Sequence, residues 1–444
     1  MGVYVRFTVA DHRYLAGDDF PRDYVATRGI QNVFDRARRR SCQSLDPTVT
    51  ALKDTLESDK SLNALCRSMF TEGKELVLAN RAHPGYLEID NIPMLMRLLD
   101  SIMVTSPEWE DLDVPDTLGG LPFNLVLMVL METRSGQRLF RHDRVNQHLG
   151  TILRKWSRFL ESPESVYVLN SRDGWLSAVA IARLEEIANR PTGDNKTFID
   201  IFDCPDPSNP DTLGFSSWDA FFTRRFKPGI RPTPSRHILY PSGKAAGAPI
   251  LNACESTPWH TTYQCSLESN IILKGKSHSV SSMLGNSTLT QHFAGGTVYQ
   301  AYLSALSYHR WHSPVTGTIR RILSLNGSYF SQLPMSDILA MEKSQSYLAT
   351  VATRMVVFIE AVDPRVGLLA FVAVGMGEVS SCEASVNEGD HVKAGDEIGC
   401  FHYGGSTHCL VFRGGVDVRF EPLAEDKQRD YPIPVRSLLA RCFV

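Results

Sequence analysis

The chain has 444 residues, 43% of them hydrophobic and 21% charged, enough to bury a full core and to form two domains. A net charge of −3 leaves no polycationic face, and the densest basic stretch, Arg36-Ala37-Arg38-Arg39-Arg40, reads as a solvated helix face, so nucleic acid is not an expected partner. Nine scattered cysteines, an odd number without Cys-x-x-Cys or zinc spacing, fit a reducing cytosol.

Met1–Phe7 lacks the basic-then-apolar order of a secretion signal, and the Gly2 context lacks the Ser/Thr that myristoylation prefers; a cytoplasmic protein is expected. Residues 1–200 are predicted to be a helical domain. Apolar residues recur every three or four positions in Val49–Leu56 and Ile92–Met103, and Asp46-Pro47 supplies an N-cap followed by proline at the first helical position. Further helices are predicted over 121–132, 143–161 and 175–189. The longest apolar run, Leu125–Met131, falls short of the roughly 20 residues of a spanning helix, so it reads as buried, with no stable membrane insertion. Between 190 and 214 the chain turns to Pro, Gly, Asn and Asp, the composition of a connection.

From about 235 the texture changes to short β-type runs such as Met355–Glu360, Leu368–Val374 and Cys409–Phe412, and a β-rich domain is predicted over 215–444. The fold class is therefore α+β. Two histidines stand three apart in Tyr308-His309-Arg310-Trp311-His312-Ser313-Pro314. They lack the four-residue spacing and nearby carboxylate of a zinc protease, so a structural pair or a proton shuttle is favoured over metal. The stretch Asn387–Gly399 carries a Gly-Asp-x-Val-Lys-x-Gly-Asp pattern of tight turns, like the hammerhead hairpins of biotin and lipoate carriers; Lys393 lies inside the turn pattern, and a structural hairpin is expected. Gly375-Met376-Gly377-Glu378 is not a dinucleotide fingerprint, and no nucleophile elbow or phosphate-binding loop is present.

One further motif, Tyr403-Gly404-Gly405-Ser406-Thr407, reads either as an ordinary loop or as a self-cutting turn. A serine preceded by two glycines can reach back to the Gly405 carbonyl, and glycine tolerates the strained backbone of an N→O acyl shift. Elimination from the resulting ester leaves a chain ending at Gly405 and a second chain whose N-terminal Ser406 remnant hydrolyses to a pyruvoyl group.

Taken in order, these pieces resemble the phosphatidylserine decarboxylase family of pyruvoyl enzymes. Phe221–Pro232 is similar to its F-F-x-R-x-x-K-P-G-x-R-P segment, and Leu273-Lys274-Gly275 with Ser282–Gly285 to its K-G…L-L-G segment. Tyr308–Gly317 matches Y-H-R-x-H-x-P-x-x-G, and Phe401–Thr407 matches the cleavage site. The whole chain, with Gly174-Trp175-Leu176 and Gly214–Trp218, is most similar to a soluble fungal branch of tryptophan-decarboxylase-like proteins acting on free amino acids.

The resemblance implies self-cleavage between Gly405 and Ser406 into chains 1–405 and 406–444, with a pyruvoyl group derived from Ser406 and neither PLP nor a metal. It assigns His312 as the base of maturation and His309 as the proton donor of turnover. It also implies a small-molecule amino-acid substrate, probed by its amine at the pyruvoyl carbonyl, and a homo-oligomer as a common family arrangement. The family's P-A-D-G aspartate has no counterpart, because the aligned residues are Ala253-Cys254-Glu255-Ser256; Glu255 is expected to orient His312 in its place. Ser304–Tyr308 has lost the proline and acid of the family's S-P-x-D-Y, which weakens the alternative substrate, phosphatidylserine.

Overall fold

The computed structural model describes residues 25–80, 84–109, 121–241, 246–268, 272–273, 276–277, 279–331, 347–375, 377–378, 381–403, 406–426, 429 and 431–443. The first part is built from helices α1 (Val25–Arg39), α2 (Pro47–Ser58), α3 (Lys60–Asn80), α4 (Ile92–Ile102), α5 (Pro122–Glu132), α6 (Arg134–Leu139), α7 (Asp143–Glu161) and α8 (Ala178–Asn189). Two short ones follow, α9 (Phe198–Ile201) and α10 (Trp218–Phe222). Their ends follow capping chemistry. Asp46 accepts the Thr48 amide at 2.9 Å ahead of Pro47, and Asn91 accepts that of Met94 at 2.8 Å. The predicted helix over 175–189 starts later, at Ala178, because Ser177 takes the cap.

Helix α5 holds the apolar run and is buried along most of its length, as its composition requires. Leu121 offers its N-terminus no side-chain cap; the Phe123 amide instead donates to the Glu378 carboxylate, 255 residues away. Among the described residues no helix is long and apolar enough to cross a membrane.

The second part is antiparallel β-structure. A seven-stranded sheet has the order β11-β7-β8-β9-β13-β5-β2, formed by β2 (Thr257–Cys265), β5 (Gly296–Leu303), β7 (Gly317–Leu325), β8 (Arg354–Ala361), β9 (Leu368–Gly375), β11 (His391–Val392) and β13 (Ser406–Phe412). Two three-stranded sheets flank it. One runs β10 (Ser381–Ala384), β12 (Glu397–His402), β6 (Arg310–His312); the other runs β1 (Ala248–Leu251), β15 (Leu438–Phe443), β14 (Asp417–Phe420). Among the described residues, strands β3 (Ile272–Leu273) and β4 (Lys276–Ser277) pair only with each other.

Side chains alternate across β13 with the period of two that a strand imposes. Leu410 and Phe412 join Phe371, Tyr299 and Leu303 in the larger core, which runs from Ile30 to Cys442 and unites helices and sheets. Cys409 and Val411 join Val298, Val372 and Phe358 in a smaller core on the opposite face. The α+β architecture is that expected from the sequence.

Candidate active site

The Asn387–Gly399 pattern folds as turns that position a backbone carbonyl. Asp390 accepts the Asn387 amide and Asp396 that of Lys393, each at 2.8 Å, while Gly389 and Gly395 take φ of 94° and 90°, the left-handed region open to glycine. Gly395 is tied to Ser313 by an N–H···O bond of 2.8 Å, and Ser313 donates to Asp396 at 2.7 Å. This holds the Gly395 carbonyl 2.9 Å from His312 Nδ1.

A carbonyl can only accept, so the tautomer with the proton on Nδ1 satisfies the shorter Gly395 contact, Arg436 Nε then donating to the Gly395 carbonyl rather than to Nδ1, and Nε2 presents the lone pair. The Tyr308 hydroxyl lies 3.1 Å from Nε2 and donates to it. Burial, reinforced by the neighbouring Arg436 guanidinium, pushes the His312 pKa down to about 4. At neutral pH the imidazole is therefore uncharged and oriented.

Glu255 does not make the contact with His312 that the sequence suggested. Its buried carboxylate receives Arg231 Nη2 at 2.6 Å, Arg231 Nε at 3.0 and 3.1 Å, and the Val435 amide at 2.7 Å. The orienting role falls to Gly395, because the extra methylene and the adjacent guanidinium carry the carboxylate into a bidentate ion pair. Glu255 reaches His312 only through the chain: it fixes Val435, and the next residue, Arg436, donates to Gly395 O at 3.0 Å and lies 3.2 Å from His312 Nδ1.

The phenylalanine-rich 221–232 segment supplies the walls around the histidines. Phe222 stacks on His309 with ring centroids 4.0 Å apart, and Phe226 stacks on Tyr308 at 4.1 Å. His309 is fully buried, and its carbonyl accepts the Phe401 amide at 2.9 Å. Arg224 is buried among Phe198, Phe202 and Phe221 and donates to the Phe221 and Leu306 carbonyls; burial lowers its pKa to about 10. Its place is structural, bracing the loop before Tyr308.

Phe401–Tyr403 leads toward the glycines through a fixed path. His402 is held at 2.9 Å by Asp219 and at 2.7 Å by Glu383. Tyr403 packs edge-on against Trp156, Trp218 and Phe222 at 5.3, 5.7 and 5.4 Å, and its φ of 22° is unusual for a residue with a side chain. Gly405, on the amino side of the expected cut, lies outside the described residues. The Ser406 backbone is the first position of β13, paired with Leu303 on one side and Gly375 on the other. The serine backbone is thereby set between two strands of the sheet, and Phe401, five residues earlier in the chain, is bonded to the His309 carbonyl.

Sequence reading missed three groups here. His408, two residues beyond Ser406, is fully buried, with Nε2 3.0 Å from Ser256 Oγ and a pKa lowered by burial to about 3. The Gly395 carbonyl carries no signal in sequence. Glu378 stands in the glycine stretch set aside as no dinucleotide site; a lone acid inside such a run was its signal. Among the described residues no group of three or more His, Cys, Asp and Glu could hold a metal ion.

Comparison with known proteins shows the family. Two phosphatidylserine decarboxylase family models match, one over residues 46–184 and the other over 218–431. The decarboxylase iboD of Amanita muscaria is 36% identical over 366 residues, 78% of this chain and 99% of that protein. The L-tryptophan decarboxylase of Psilocybe cubensis is 33% identical over 341 residues, 73% of each chain. Phosphatidylserine decarboxylase proenzyme 3 of Schizosaccharomyces pombe is 32% identical over 204 residues, 46% of this chain and 19% of that protein. The chain belongs to the phosphatidylserine decarboxylase family and is a carboxy-lyase. Within that family the two fungal decarboxylases named above match it along most of both chains.

Proposed function

We propose that the chain cuts itself between Gly405 and Ser406 and, as a pyruvoyl enzyme, removes the α-carboxylate of a free aromatic amino acid, tryptophan-like in its side chain. The observation that carries the first half is the neutral His312, its Nδ1–H donated to Gly395 O and its Nε2 unprotonated, met by the Tyr308 hydroxyl. In this reading Nε2 takes the Ser406 hydroxyl proton, either directly or through the Tyr308 hydroxyl that lies on it. The serine oxygen attacks the Gly405 carbonyl and the peptide nitrogen leaves, giving an ester. Elimination frees the Gly405 carboxylate, and hydrolysis of the remnant at 406 releases ammonia.

The residues fit such a group: the Ser406 backbone is anchored between two strands, and two buried polar atoms with unused hydrogen-bonding capacity are near in sequence to it or to its register partner, His408 Nδ1 two residues along β13 and Glu378 Oε2 three residues beyond Gly375. When formed, the pyruvoyl group supplies a carbonyl for the substrate amine and a sink for the electron pair left by CO2. The protein's own part is to exclude water with Phe222, Phe226 and Tyr403, and to deliver one proton to the substrate carbon, a role assigned to His309.

Extended similarity to iboD and the L-tryptophan decarboxylases supports a free amino acid over phosphatidylserine. The named phosphatidylserine decarboxylases match less than half of this chain. On a denaturing gel the 49.5 kDa chain should separate into fragments of about 45 and about 4 kDa, the smaller blocked at its N-terminus. Ser406→Ala should stay intact and inactive. Incubation with free aromatic amino acids beside phosphatidylserine vesicles should yield the amine from the former; phosphatidylethanolamine alone would overturn the substrate reading.

A further inference from the structure

Glu378 is 6% exposed and Asn124 is 2% exposed. One Glu378 oxygen, Oε1, accepts the Phe123 amide and so caps α5. The other, Oε2, has no partner among the described residues, and neither has Asn124 Nδ2. A cap accounts for one oxygen and leaves a buried acceptor and a buried donor unused, each of which costs about 1–3 kcal/mol when unpaired. Native interiors leave few such atoms, and a buried donor and a buried acceptor on two segments that meet are a reason to look for a ligand.

Two independent paths bring this pair to the reacting end of β13. Gly375, the register partner of Ser406, is three residues before Glu378, a span of at most about 11 Å of chain. From the other side, Phe123 packs on Trp156 at 5.1 Å, and Trp156 on Tyr403 at 5.3 Å, three residues before Ser406. Gly377 sits between the two elements: its amide donates to Tyr329 O at 3.1 Å, and a Cβ added to it would meet Phe330 at 3.8 Å and Asn124 Oδ1 at 4.0 Å.

We propose that Glu378 and Asn124 hold the two charged groups of the substrate's α-amino acid moiety, the carboxylate of Glu378 receiving the ammonium and the Asn124 amide donating to the carboxylate. The inference rests on the decarboxylase reading, yet its chemistry serves a free amino acid and a phosphoserine head group equally. Arg231 already neutralises Glu255, and Asp219 is bound to His402. Glu378, in contrast, is influenced only by the backbone amides of Phe123, Asn124 and Glu378 itself, with no charged side chain acting on it among the described residues. Burial pushes its pKa up to about 8, so an arriving ammonium is the cation that draws out the charged form and releases a proton.

Calorimetric titration of the uncut Ser406→Ala protein at pH 7, in two buffers of different ionisation enthalpy, tests this without turnover. L-Tryptophan should bind with release of close to one proton. Adding Glu378→Gln, which keeps an oxygen for the Phe123 amide, should weaken binding by about tenfold to a hundredfold and abolish proton release. Adding Asn124→Ala should weaken L-tryptophan more than tryptamine, which has no carboxylate. Phosphatidylserine vesicles form a second arm: binding there alone, lost in Glu378→Gln, would sink the free amino-acid reading and keep this site. Unchanged affinity and proton release in Glu378→Gln, or no binding of either ligand to Ser406→Ala, would overturn the site itself.

Discussion

His312 and Glu255 show how one side chain's neighbours decide its chemistry. Because His312 is neutral down to about pH 4, self-cutting should keep its rate from pH 8 to about 5 and fall only toward pH 4, followed as band intensity on gels. A base with an ordinary histidine pKa would lose rate near pH 6.5 instead. Glu255 is different in kind: it is one half of a buried ion pair with Arg231, at 2.6 Å. Glu255→Ala should cost about 3–5 kcal/mol in urea unfolding, since it strands a buried guanidinium. Arg231→Met added to it should recover part of that loss. A merely catalytic glutamate would leave the unfolding midpoint in place. The acid itself was legible in the sequence; its partner was not, because Arg231 is drawn to it by the fold.

At the scale of elements, α10 is bound to β12 through Asp219 and His402. Burial is the largest single influence and opposes a charge on His402, yet Asp219, through its hydrogen bond and its charge, and Cys400 together more than offset it and raise the pKa to about 11. Since the folded value exceeds the unfolded 6.5, this bond's stabilisation is complete below pH 6.5 and fades as pH rises toward 11. Asp219→Asn should therefore lower the melting temperature at pH 7, and the gap from wild type should narrow at pH 10. Equal gaps at both pH values would mean that the contact is not ionic. The strands and the Asp46 cap could be read from periodicity and capping residues. Helix α5 could be read too, but its cap could not: Glu378 is remote in sequence, and only tertiary packing brings it to Phe123.

For the whole molecule, the Pro- and Gly-rich stretch at 190–214 reads as a connection, yet the core continues across it. Trp175 from the helical part packs on Trp218 at 4.6 Å, and Trp156 reaches Tyr403 beside the glycines. Trp156→Ala should cost about 3–5 kcal/mol and also slow self-cutting, because it removes the wall behind Tyr403. Thermal melts and gel time courses on the same variant check both parts; a loss of stability with unaltered cutting would confine Trp156 to packing. Sequence pattern reveals which residues are apolar, and it is silent on which distant aromatic ring meets which.

The place of β13 has a consequence for the life history of the protein. A cut ahead of Ser406 would leave a small chain that supplies the strand between β5 and β9, and then β14 and β15, the latter clasping β1. Such a piece cannot slide out of two sheets while they stand. Once urea has pulled the sheets apart, however, reassembly becomes an encounter between two molecules. Uncut Ser406→Ala should regain its fold at any dilution, whereas the matured protein should do so with a yield that falls as concentration falls. Maturation would thus turn a chain that can refold alone into an assembly with a memory of having been one.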